Sequence, residues 1–223
     1  MKDFKKFVLF AVWGGVNLAG CGGGDGGTPA APPLVTTQIQ SDPAFDGDIE
    51  QTSATSYVVT QGMTSTVQSV FAGIDPVAGT EFRAFLDFPL SGTAGIPANA
   101  IIHSAFLDIY INSLQPATGT LPLLIELVSI QPPTLIGTDF DQAAQPALAS
   151  LVVSPPIGPA DNGTNVSIDI TPLMTEAQRL GFVDLQLRVM EDLGPAIPVL
   201  LEINDTTGPN RISVGPTLTV NYF

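Results

Sequence analysis

The chain has little of what metal centres and covalent catalysis require. It contains one cysteine, one histidine and one tryptophan. With only Cys21 and His103, a zinc site of the usual nitrogen and sulfur ligands is excluded, and so is an internal disulfide scaffold. Neither a G-x-S-x-G nucleophile motif nor a C-x-x-C-H haem motif occurs. His103 lies on the more apolar side of a predicted strand, so we interpret it as a partly buried structural residue.

Basic residues are almost absent after the first six positions. The three lysines are Lys2, Lys5 and Lys6, and only four arginines follow Cys21. Against them stand twenty acidic residues, which gives the chain from Cys21 onward a net charge of −16. Such a charge repels the phosphate backbone, so nucleic-acid binding is excluded. The acids are dispersed, which favours a solubilising surface, with cation binding as the alternative.

Residues 1–20 have the organisation of a secretory signal peptide. A lysine-containing start precedes an apolar run of about ten residues, which is too short to span a membrane. Leu-Ala-Gly at 18–20 and Cys21 resemble a bacterial lipoprotein signal, which implies that Cys21 is lipid-modified. Gly22, rather than aspartate, follows, as in lipoproteins sent to the outer membrane of Gram-negative bacteria. We therefore expect a lipid-anchored protein of the bacterial cell envelope.

The next segment is glycine-rich and then proline-rich. Such a composition forms a flexible and then semi-stiff linker that buries too little apolar surface to fold. We interpret residues 21–40 as a tether and residues 41–223 as one folded domain.

Period-two alternation recurs through that domain. It is typical of strands with one buried and one polar face, and eight or nine such strands predict a two-sheet antiparallel β-sandwich. Clear examples are residues 81–88, 101–111, 165–170, 183–189, 199–203 and 218–222.

One short helix is predicted after Asp169. Thr171 is the expected N-cap, Pro172 suits the first turn, and Gly181 suits a left-handed C-cap. Residues 131–165 are rich in proline and are predicted to be irregular.

Several motifs suggest a family. RAFLDF at 83–88, AIIHSAFLDIY at 100–110, VSIDIT at 166–171 and GPTLTVNY at 215–222 together resemble DNRLRE-type domains. These are jelly-roll modules allied to carbohydrate-binding modules of bacterial surface and secreted proteins. The resemblance covers roughly residues 44–223 and implies a jelly-roll fold. Family members commonly carry a tryptophan in or before the short helix, whereas the only tryptophan of this chain is Trp13.

A candidate ligand face combines aromatic rings with hydrogen-bonding side chains. Sugars are bound by such a mixture, because rings stack on apolar sugar faces while carboxylates, amides and guanidinium groups bond the hydroxyls. The alternative is that a long loop covers the rings and the polar pairs only stabilise the sheet. The candidate residues are Arg83, Phe85, Asp87, Phe106, Asp108, Tyr110, Asp184, Gln186 and Arg188.

A calcium site is a second candidate. Asp46, Asp48 and Glu50 are spaced two residues apart and offer carboxylate oxygens, the ligands that calcium prefers. The alternative is an acidic turn before the first strand.

These observations predict a non-catalytic binding module for a polysaccharide or another surface ligand, with structural calcium as a possible cofactor. The alternative is a structural or assembly lipoprotein that contacts a partner protein. A glycan-active enzyme is less favoured, because no pair among the many carboxylates is singled out.

Overall fold

The computed structural model describes residues 32–92, 95–192 and 198–223. The predicted signal peptide, Cys21 and the first part of the tether lie outside the described residues. Within the described part, twelve antiparallel strands form one curled sheet. They are β1 (Val35–Gln40), β2 (Gly47–Ser53), β3 (Ser56–Gln61), β4 (Ser69–Ile74), β5 (Glu81–Pro89), β6 (Ile102–Gln115), β7 (Leu123–Val128), β8 (Ala149–Val152), β9 (Asn165–Asp169), β10 (Asp184–Glu191), β11 (Leu200–Asn204) and β12 (Thr217–Tyr222).

The long strand β6 belongs to both layers of the sandwich. Its first part pairs with β12 and β9, and β12 pairs in turn with β1. Its last part pairs with β11, which continues through β4, β5, β10 and β7 to β8. Strand β2 adds to β5, and β3 adds to β2. The expected all-β, antiparallel sandwich-like fold is therefore confirmed.

The core lies between the two layers and follows the alternation of the strands. Leu107 and Ile109 of β6 and Leu187 of β10 are at most 1% exposed. Each such side chain contributes about 1.5–3 kcal/mol by leaving water, so the inward faces hold the layers together.

Three strands fall where none was predicted, and one of them is β2, which stands where the alternative placed an acidic turn. Strand β1 lies inside the predicted tether, so the folded domain begins before residue 41. It has one buried apolar side chain, Ile39, among polar residues, which makes its alternation weak. Strand β8 lies within the predicted irregular region 131–165 and pairs with β7.

The predicted helix is present as α1 (Thr171–Leu180), and Gly181 ends it with a left-handed φ of 72°. The N-terminus of this helix differs from the prediction, because the Thr171 side chain does not cap it. The Thr171 hydroxyl accepts a hydrogen bond from Ala105 N–H, while Thr171 N–H donates to Asp169. A second short helix, α2 (Arg211–Val214), precedes β12. No helix in the described residues has the length and apolarity needed to cross a membrane.

His103 is exposed, contrary to the expected partly buried position. The pairing of β6 with β12 shifts by one residue between Asn221 and Tyr222, so that Tyr222 lies opposite Ile102. This bulge turns His103 outward, where its ring lies 5.6 Å from the ring of Phe223.

Candidate functional site

The nine residues of the predicted ligand face lie on two different surfaces. Strands β5 and β10 are neighbours, and their pairing places Phe85 opposite Arg188 and Asp87 opposite Gln186. Phe106, Asp108 and Tyr110 instead lie on β6 where it pairs with β12 and β9. The expectation of one shared face is therefore wrong, because these parts of β5 and β6 are in different layers.

The β5–β10 surface is covered by the chain between β7 and β8, residues 129–148, which we call the covering segment. Phe85 is 3% exposed and packs with Ile130, Leu135 and Phe140 of this segment. The alternative in which a long loop covers the rings is therefore correct for this surface. Phe85 is part of a second apolar core.

Buried arginines fasten the covering segment. Arg188 is fully buried and donates to Glu126 Oε2 at 2.7 Å and to the carbonyl oxygen of Asp139 at 2.8 Å. The Arg83 guanidinium lies 4.0 Å from the centre of the Phe140 ring. These side chains hold backbone and ring groups of the protein itself, so we assign them a structural role.

The β6 part of the predicted face is open and polar. Phe106, Asp108 and Tyr110 are half-buried. Thr219 donates a hydrogen bond to Asp108 Oδ2 at 3.2 Å from the neighbouring strand. Ligand binding at this surface, which we call the β6 face, stays a prediction.

Asp46, Asp48 and Glu50 do not form the predicted calcium site. Asp46 Oδ1 accepts a hydrogen bond from Asp87 N–H at 2.8 Å, and its Oδ2 lies 3.5 Å from the Arg211 guanidinium. In the part of the chain that the structure describes, no three His, Cys, Asp or Glu side chains are arranged to hold a metal ion. The two-residue spacing alone does not bring the three carboxylates together. Asp46 precedes β2, and its carboxylate contacts Asp87 and Arg211 instead.

Asp46 belongs to a buried acidic pair. Asp46 and Asp205 are fully buried, and Arg211 forms ion pairs with both. Burial, and next the charge of Asp205, raise the pKa of Asp46 well above its usual range. One guanidinium faces two carboxyl groups, so the second carboxylate has no cation of its own.

A groove of about 590 Å³ lies beside β4. Strand β4 pairs with β5 only through Gly73 and Ile74, and the groove opens where β4 separates from β5. We call it the β4 groove. Its walls include Asp48, Thr60, Gln68, Ser69, Phe71, Phe82, Asn112, Glu202 and Asn204.

Strand pairing creates the polar wall of the β4 groove. Glu202 on β11 accepts hydrogen bonds from the hydroxyls of Ser69 and Ser113, each at 2.8 Å, and from Asn112 Nδ2 at 3.3 Å. Asn204 donates to Asn112 Oδ1 at 2.9 Å. These bonds lock the rotamers of the side chains, so the wall is preorganised for polar recognition.

Two aromatic rings form the apolar wall. Phe71 and Phe82 are half-buried, with ring centres 5.8 Å apart and planes inclined by 58°. Gly73, which pairs with Phe82 of β5, permits the close approach of the Val199 carbonyl oxygen. Its φ is +106°, and a Cβ at this position would collide with the carbonyl oxygen of Val199.

Asp48 stands where the two walls meet. It is 4% exposed, and its Oδ2 accepts a hydrogen bond from Phe71 N–H at 3.2 Å. Burial raises the pKa of Asp48 to about 7, with a smaller contribution from the charge of Glu50. A carboxyl group of this pKa in a cleft marks a candidate functional site.

No arginine lines the β4 groove, because all four form ion pairs elsewhere. Their partners are Glu81 for Arg83, Glu176 for Arg179, Glu126 for Arg188, and Asp205 and Asp46 for Arg211. The groove therefore presents carboxylates, amides, hydroxyls and rings without a cation.

Asp48 is the one residue of the groove lining that was predicted to be functional from the sequence, and it was predicted as a calcium ligand. Glu202 and Asn204 occupy the polar phase of a strand recognised by its alternation, which is the only signal they give. Asn112 lies ninety residues from Glu202 along the chain, so their contact depends on strand pairing. No protein-family model and no curated protein sequence matches this chain.

Proposed function

We propose that this protein is a lipid-anchored bacterial envelope protein whose β-sandwich binds a polysaccharide without cleaving it. The observation that carries the proposal is the β4 groove, where the Phe71–Phe82 pair lies beside the hydrogen-bonded side chains around Glu202, the residue opposite Phe71 in the strand pairing. Saccharide recognition needs this pairing of rings with fixed polar groups. The resemblance to DNRLRE-type modules supports the same assignment.

The envelope part of the proposal depends on the first 22 residues. Cys21 would carry the lipid, the tether would extend the domain from the membrane, and Gly22 supports the outer membrane. Several acyl chains on one cysteine give stable anchoring where a single chain is marginal.

The test is a retention assay on immobilised polysaccharides, using the full-length protein in detergent with calcium and with a chelator. We expect retention by one glycan class and at least tenfold weaker binding by Phe71→Ala, because the ring then no longer contacts sugar. Phe106→Ala is the matched control on the β6 face. Loss of binding in Phe106→Ala or Tyr110→Ala alone would move the site to the β6 face, and no retention under either condition would contradict the proposal.

The alternative, an assembly lipoprotein, has one observation in its favour. Strands β8 and β9 each pair with a single neighbour, and a cavity of about 390 Å³ lies between them. Val152 of β8 is 50% exposed there. Exposed edge strands are templates for pairing with another chain. Co-purification of a stoichiometric partner, lost when Val152 is replaced by lysine, would support this function.

A further inference from the structure

We infer that the β4 groove selects saccharides bearing free amino groups, that is, cationic amino sugars, over neutral or acidic glycans. The inference rests on the proposed function, because it specifies the ligand class of the same groove. It is argued from the side chain of Asp48 and from the groove lining, which contains no cationic side chain among the residues that the structure describes.

Asp48 is buried, and its carboxyl group is only partly satisfied. Oδ2 accepts the hydrogen bond from Phe71 N–H, whereas Oδ1 has no hydrogen-bond partner among the described residues. The side chain lines the groove, so Oδ1 is available to a ligand. A buried carboxylate without an opposite charge is costly unless a partner supplies one. An ammonium group supplies both the charge and the hydrogen-bond donors.

None of the described residues provides such a charge at this position. All four arginines of the described chain are engaged with other acids, and the second charged residue of the groove wall is Glu202. The acidic groups near Asp48 are Glu202, which lines the same groove, and Glu50 on β2, whose charge raises the pKa of Asp48. A uronic, sulfated or phosphorylated glycan would meet like charges, and like-charge juxtaposition is strongly unfavourable.

The aromatic wall agrees with this ligand class. The rings of Phe71 and Phe82 line the same groove as Asp48, and aromatic faces carry negative electrostatic potential. A cation near such a face gains a cation–π attraction that a neutral acetamide lacks. A sugar stacked on either ring would bring a ring substituent towards the Asp48 carboxylate.

Ligand binding also changes the protonation of Asp48. Burial holds its pKa near 7 in the free protein, and an adjacent ammonium group favours the ionised carboxylate. Binding near pH 6.5 therefore releases a proton to the buffer. A neutral sugar that only accepts a hydrogen bond from the protonated carboxyl group releases none.

The experiment is isothermal titration of the full-length protein in detergent with glucosamine hexamer and with N-acetylglucosamine hexamer, at pH 6.5 in two buffers of different ionisation enthalpy. We expect the amino hexamer to bind at least tenfold more tightly and to release a proton. In Asp48→Asn the preference should fall to less than threefold and the proton release should disappear. Glu176→Gln, which removes a carboxylate from α1 outside the groove, should behave like the wild type.

The outcomes separate the two proposals. Equal affinity for both hexamers, or tighter binding of the acetylated one, overturns the selectivity and leaves polysaccharide binding intact. A preference that survives in Asp48→Asn also overturns the inference, because another group then provides it. Retention of no glycan at all would remove the proposed function and the inference together. Thermal unfolding of each variant, recorded beside the titrations, shows that lost binding is not lost folding.

Discussion

Replacing Asp48 by asparagine should stabilise the protein at neutral and alkaline pH. Asparagine retains a side-chain oxygen that accepts the hydrogen bond from Phe71 N–H, and it has no proton to lose. The wild-type carboxyl group has a folded-state pKa of about 7, against an ordinary value of 3.8. A raised acid pKa means that the fold favours the protonated form.

The sign and size of the effect follow from this shift. Below about pH 4 the group is protonated in both states and costs nothing. Between pH 4 and pH 7 the unfolded chain loses the proton first, so the free energy of unfolding falls as pH rises. Above pH 7 the loss is complete, and a shift from 3.8 to about 7 corresponds to about 4 kcal/mol at most.

Urea unfolding followed by circular dichroism at pH 4, 6 and 8 measures this difference. We expect Asp48→Asn and the wild type to agree within about 0.5 kcal/mol at pH 4, with the variant becoming progressively more stable at pH 6 and pH 8. Asp108→Asn controls for the removal of one negative charge from an acidic protein. The reasoning would be refuted if the difference in free energy of unfolding between Asp48→Asn and the wild type did not change with pH. It would also be refuted if the wild type were the more stable protein at pH 8.

Three further changes test other parts of the molecule. Glu126→Gln leaves the buried Arg188 guanidinium without its charged partner, so we expect a loss of about 3–5 kcal/mol in urea unfolding; a loss below about 1 kcal/mol would show that the pair is not needed. Gly73→Ala places a Cβ against the carbonyl oxygen of Val199 at a left-handed φ, and should lower stability by more than about 1 kcal/mol and weaken glycan retention, whereas unchanged binding would show that the groove does not depend on the Gly73 backbone. Cys21→Ser should abolish incorporation of labelled fatty acid in the bacterial host, and persistent labelling would place the lipid elsewhere.

The fold class could be predicted from the sequence because a strand with one buried face shows alternating apolar and polar residues in its own sequence. In β10, alternate apolar residues are buried in the main core, as the pattern requires. The same pattern wrongly predicts that the polar residues of this strand are exposed. Gln186 and Arg188 are polar, yet they are 7% and 0% exposed because the covering segment lies on them. Nothing local in β10 indicates that a segment forty residues earlier will cover its outer face.

The candidate site was harder to predict for the same physical reason. The β4 groove joins residues of β2, β3, β4, β5, β6 and β11, and its hydrogen bonds connect residues far apart in the chain. Asp48 was recognised as an acidic residue in a spaced set, and only the pairing of strands shows that it faces Phe71 rather than a metal ion. Sequence spacing describes what one strand presents, whereas a site depends on which strands become neighbours.

The shared strand β6 has a consequence for how the molecule opens. Its first part is bonded to β12 and β9 and its last part to β11, so neither layer separates without disturbing the same strand. Local opening is then restricted to outlying strands, and the amide hydrogens of Leu107 and Ile109 should exchange with solvent only when the whole domain unfolds. A ligand held by Glu202 would slow that exchange on the opposite layer, because it stabilises the single cooperative unit to which both layers belong.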